Sequence, residues 1–236
     1  ASGGRTGGAS DSVERIDAGQ VGDYDYEIVT TESAADLETW FDDNGYTTPE
    51  DTERALAHYL AEGMNFAAVK LSPEATNEPS RPDTLVVTMP RAEEPPTYPL
   101  ALSQLSAPET SEVVLYYLAG EQTRMTTANY ASAELEDVAE QMEILHDRNP
   151  EGVNYNEAMD MLAEDTGEPV FVTEYSRLLA EGSRATCDEN DCPPPLQAFV
   201  DAGIGQDMRL TRLHARLPKQ DLQDVRFEKD VDSDAV

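Results

Sequence analysis

Cys187 and Cys192 flank the four-residue spacer Asp188, Glu189, Asn190 and Asp191, and Pro193, Pro194 and Pro195 follow directly. Joined to each other, the two sulfurs would close a very short loop, worth about 2 kcal/mol if stabilisation comes from lost chain entropy. A metal centre would need at least two more Cys or His ligands nearby. The chain offers only His58, His146 and His214, widely separated. A redox pair is usually a tighter CxxC in a thioredoxin-like setting. Asp188, Glu189 and Asp191 are oxygen donors at short spacing, suited in type to Ca²⁺, but the glycine and distal glutamate of an EF-hand loop are missing. Asp42, Asp43 and Asn44 fail the same test and read as the end of a helix before Gly45.

Near the other end, Leu210, Arg212, His214 and Arg216 alternate, so His214 shares a strand face with two arginines. Three potential cations together are unusual in so acidic a chain. The spacing predicts a solvated basic face, able to receive an acidic partner or an acidic segment of this same chain. No catalytic residue is nominated: serine has no GxSxG context, and no Ser/His/Asp set stands out. Carboxylate pairs fit for glycoside hydrolysis are too abundant to single one out. Tyr24, Tyr26, Trp40, Tyr116 and Tyr117 read as core aromatics rather than a ligand-stacking surface. No cofactor is expected.

The elements that must position these residues follow from periodicity. Residues 1–20 begin with a Gly/Ser/Ala-rich run and read as a flexible linker or arm, and 231–236 as a tail. Val21–Thr30 alternates as a strand. Ser33 caps a helix carrying Leu37, Trp40 and Phe41, stopped by Gly45, and Thr48 with Pro49 opens a second that Gly63 ends. Strands are expected at 65–71, 85–89, 100–105 and 113–118; the last is apolar on both faces and so central to its sheet. Residues 133–147 and 154–165 predict acidic amphipathic helices, 170–175 a strand, 196–202 a short helix and 208–217 a final strand. The fold class is α+β, a mostly antiparallel mixed sheet with short amphipathic helices packed on it. Residues 21–230 are read as one domain, with 130–155 as the place for any division into two lobes.

Composition bounds the function. Of 236 residues, 48 are Asp or Glu and 16 Lys or Arg, for a formal charge of −32. Such a surface lacks the cations that nucleic-acid phosphates require, and it is repelled by anionic lipid. No apolar run approaches the length of a membrane span, so no direct insertion by this segment is expected. The acids are spread along the chain, and only Lys70, Lys219 and Lys229 are lysines. This is the composition expected of adaptation to concentrated salt. At about 1 M the Debye length is roughly 3 Å and like-charge repulsion largely disappears. Binding of divalent cations is the competing use of the same charge.

Several stretches, in order, resemble a family of secreted bacterial proteins, domain-of-unknown-function family 2330. They are VGDYDYEIVTTESAADLETWFDDNGYTTPED, LAEGMNFAAVKL, YPLALSQLSA with VVLYYLAG, PVFVTEYS, CDENDCPPPLQAF and MRLTRLHARLPKQDLQDVRFEKD. The resemblance spans about residues 20–230 and covers the second half of the family's usual length. Members typically begin with a signal peptide and a further Cys-containing domain, and many end in a membrane anchor. Neither is read in this sequence, and the expectation is either a mature or excised segment or a lineage that carries the module alone. The resemblance implies an extracytoplasmic address (periplasm, cell surface or secreted) and no known activity. In that setting two cysteines are normally paired, which favours a Cys187–Cys192 disulfide. The expectation is a noncatalytic, salt-adapted structural or interaction subunit of an envelope or surface assembly, with other protein subunits as partners. The alternatives are a hydrolase of an envelope polymer using paired carboxylates, or a calcium-dependent adhesion module.

Overall fold

The computed structural model describes residues 12–72, 85–87, 96–120, 123–148, 154–179 and 208–230. Cys187, Cys192, Asp188, Glu189 and Asp191, with the helix expected at 196–202, lie outside the described residues. The fold is α+β, with four α-helices and three mostly antiparallel sheets among the described residues. The chain divides into two compact units, Ala1–Val87 and Thr88–Val236. The sequence reads residues 21–230 as one domain, with 130–155 only as the place for any division into two lobes; residues 130–155 belong to the second unit.

In the first unit, β1 (Glu14–Val21), β2 (Tyr24–Thr30) and β3 (Phe66–Leu71) form an antiparallel sheet in that order. The hairpin thus starts at Glu14, inside the stretch read as an arm. Every residue of β1 is exposed, so it carries no apolar alternation to betray it. Helix α1 (Ala34–Asp43) begins where the Ser33 hydroxyl accepts the Asp36 N–H at 3.2 Å, and ends before Gly45 at φ +77°. Helix α2 (Thr52–Ala61) starts later than Thr48 and Pro49 suggested. The Thr48 hydroxyl is spent on Asp42 Oδ1 at 3.0 Å, and Asp51 takes the N-cap position with φ 69°. Val29, Leu37, Trp40, Leu56, Tyr59 and Ala68 are buried, each large side chain stabilising by roughly 1.5–3 kcal/mol. Trp40 stacks on Tyr46 at 6.0 Å between centroids, so it packs as expected.

The second unit holds the larger sheet. Its strands are β5 (Thr110–Ala119), β7 (Ala131–Glu134), β8 (Val170–Leu178) and β9 (Arg209–Pro218), in the order β5-β9-β8-β7. Between β7 and β8, which are parallel, run α3 (Leu135–Arg148) and α4 (Tyr155–Thr166), the crossover a parallel pair requires. A smaller sheet orders β4 (Thr97–Tyr98), β10 (Val225–Lys229) and β6 (Met125–Thr127). Three expectations change here. Residues 85–87 are exposed and belong to no strand. Ala101–Leu105 is a 3₁₀ turn, tied by Ala101 N–H to Asp224 and by Gln104 to the Leu222 carbonyl, at 2.9 and 2.8 Å. Strand β5 stands at the end of its sheet, an edge among the described residues, and on one of its faces Val114 and Tyr116 are exposed.

The two faces of this sheet differ in chemistry. Val113, Phe171, Leu213, Ala215 and Leu217 point to one side and pack with Leu100, Leu222 and Val225. On the other side, Val170 and Val172 meet Val138, Leu145, Ala158, Met159 and Leu162 of α3 and α4. Strand alternation then forces Arg212, His214 and Arg216 of β9 onto the helix-covered side.

Candidate functional site

The helix α4 starts under a proper cap: Asn154 accepts the Glu157 N–H at 3.0 Å, and Gly167 ends it at φ +80°. Its apolar residues enter the core, which turns Tyr155, Asn156 and Asp160 toward β9 and β5. Strand β8 brings in Glu174 through a bulge. Thr173 is opposite Leu213 and Tyr175 opposite Arg212, leaving Glu174 as the extra residue.

Glu174 is the hub. Its Oε1 accepts from the Tyr155 hydroxyl at 2.7 Å and lies 2.8 Å from His214 Nδ1, while Oε2 pairs with the Arg212 guanidinium. The Tyr155 ring stacks on His214, with centroids 5.7 Å apart and planes 15° from parallel. Arg212 also stands over the Tyr116 ring and donates to its hydroxyl at 3.1 Å. A second knot sits one step along. Arg216 binds Asp160 through two hydrogen bonds, 2.9 and 3.3 Å, and Glu112 at 3.2 Å, and Glu112 also accepts from Asn156 at 2.6 Å.

The expected basic face is not solvated: it receives acids of this same chain, one of the two occupants expected for it. The side chains of His214 and Glu174 are only 8% and 10% exposed, and both arginines are bound to carboxylates of the same chain. Burial, with Arg212 next, holds the His214 pKa below the ordinary histidine value. Hydrogen bonding to Asp160 holds Arg216 above its ordinary value. His214 is thus neutral at pH 7, with Nδ1–H donating to Glu174. Its Nε2 is buried and has no hydrogen-bond partner among the described residues.

An imidazole aligned by a carboxylate is suited to proton transfer or to metal ligation. An open depression of about 480 Å³ lies in the first unit, between Thr30, Glu32, Ala57, Leu60 and Met64. Among the described residues, no three His, Cys, Asp or Glu side chains converge to hold a metal ion. What the cluster can do is neutralise buried charge and clamp α4 onto β8 and β9. Of the sequence candidates, Arg212, His214 and Arg216 come together; Tyr116 joins them, and Tyr117 packs on Phe227 at 4.9 Å. Glu174, Tyr155, Asp160, Glu112 and Asn156 were missed. Only Glu174 left a trace, an acid in step with Val170 and Val172 along an inward strand face.

Fold and site define an α+β protein of two units in which the cations of β9 are neutralised by acids of the same chain. The chain belongs to the family described as uncharacterized protein conserved in bacteria (DUF2330), whose model matches residues 2–228. No curated protein and no solved structure matches it. Among the described residues, no helix is long and apolar enough to cross a membrane, which leaves β-barrels aside.

Proposed function

We propose that the chain is a noncatalytic structural or interaction subunit of an extracytoplasmic envelope or surface assembly, adapted to concentrated salt. The observation that carries this reading is strand β5. It is a ten-residue sheet edge with a single carboxylate and no cation, in a chain where one residue in five is acidic. Val114 and Tyr116 stand exposed on it. A bare edge with apolar side chains is suited to pairing with another chain. The cluster beside it supports the same reading, because its arginines are bound to carboxylates of the same chain and serve the fold. The extracytoplasmic address rests on the resemblance to secreted bacterial proteins, and the salt adaptation on the net charge of −32.

Native purification in concentrated salt tests the reading. The expected result is a particle heavier than one 25.9 kDa chain. A solitary monomer that turns over an envelope polymer would contradict it.

A further inference from the structure

Sheet edges attract stray strands, and folded chains usually blunt them with charge, proline, bulges or brevity. The other edges follow that rule. Strand β1 carries Glu14, Arg15 and Asp17 and a register shift between Arg15 and Asp17. Strand β7 has four residues, and β3 presents Lys70. Strand β5 does none of this: TSEVVLYYLA contains no proline, its register with β9 is continuous from Thr110 to Ala119, and its one charge, Glu112, is held by Arg216 and Asn156. Among the described residues nothing pairs with its outer side.

We infer that the occupant of this edge is the β5 strand of a second copy, paired antiparallel about a two-fold axis at Leu115. The inference rests on the interaction reading above and names its partner. Backbone geometry limits the choices. Outward N–H and C=O groups recur at every second residue, so symmetric partners must share parity and the axis must fall on a residue. At Leu115 the two strands overlap over nearly their whole length. Val114 then stands opposite Tyr116 of the other copy, twice by symmetry, joining the strand's exposed β-branched and aromatic side chains. Such cross-strand pairs are among the favourable ones. Glu112 falls opposite Leu118, well away from its own counterpart. The product is one sheet running through both copies, from β7 of one to β7 of the other. The repulsion of two chains at −32 each opposes this in dilute buffer and fades in concentrated salt.

The test is light scattering in about 1 M KCl, where the Debye length is roughly 3 Å. A dimer mass is expected, weakened about 100-fold by Tyr116→Lys, because symmetry counts the change twice. Tyr116 is 62% exposed, so the variant should fold, which circular dichroism checks. In parallel, Val114→Cys and Tyr116→Cys proteins are mixed and oxidised, and the linked peptides are mapped by mass spectrometry. A 114–116 link between copies, stronger than 114–114 or 116–116, is expected. A dimer that survives Tyr116→Lys and lacks the 114–116 link overturns the inference. So does a monomer at every concentration, including one whose β5 is covered by its own chain. If that monomer still purifies in a larger native particle, the interaction reading stands and only self-pairing falls.

Discussion

Replacing Glu174 by alanine should be among the most damaging single changes in the second unit. Three donors lose their acceptor together: the Tyr155 hydroxyl, His214 Nδ1 and the Arg212 guanidinium. Arg212 is 29% exposed and keeps Tyr116, so water takes up part of its loss. Tyr155 and His214 sit within the fold, and each donor left unmatched there costs about 1–3 kcal/mol. The sum falls near the 3–5 kcal/mol expected when one partner of a buried pair is removed. In a unit of this size that lowers the melting temperature by about 10 °C. Glu174→Gln keeps one acceptor oxygen and should lose about half as much. Denaturant unfolding in concentrated salt, followed by circular dichroism, measures both. A loss below about 1 kcal/mol for the alanine variant, the scale of a surface pair, would refute the view that these cations work for the fold.

The pH dependence has a definite sign. His214 is held below its ordinary pKa by burial first and by Arg212 second, with Arg216 adding and Glu112 opposing. Its neutral form is favoured in the fold, so its stabilisation is complete above the unfolded value near 6.5 and is lost as pH falls through the folded value. Unfolding titrations should therefore show a loss below about pH 6.5 that is shallower in His214→Gln; equal slopes would contradict the assignment. Stability should rise steeply between about 0.1 and 3 M KCl as repulsion is screened, and a flat profile would remove the salt adaptation. Asn154→Ala should cost about 1 kcal/mol through loss of the α4 cap, and an unchanged melting curve would show that the cap is idle.

The helices were legible because their signals are local. Ser33 as a cap, Gly45 and Gly63 as stops, and the Leu37/Trp40 and Val138/Leu145 stripes are all written within a few residues. Alternation in β9 likewise put Arg212, His214 and Arg216 on one face. What covers that face was not legible, because Glu174, Asp160 and Glu112 arrive from three other elements and Glu174 depends on a bulge. An acid destined for such a cluster looks like any other of the 48 in this chain. Apolar content misled at β5, where VVLYYL suggested a central strand and the structure makes an edge. Strand β1 escaped for the opposite reason, being paired by its backbone and exposed along its whole length.

Hydrogen–deuterium exchange along β5 tests most directly the claim that this chain works by meeting another through that edge. At high protein concentration in concentrated salt, amides at alternate positions from Thr110 to Ala119 should be protected, and should exchange freely on dilution or in Tyr116→Lys. Exchange that is fast at every concentration, or slow at every dilution, would contradict it.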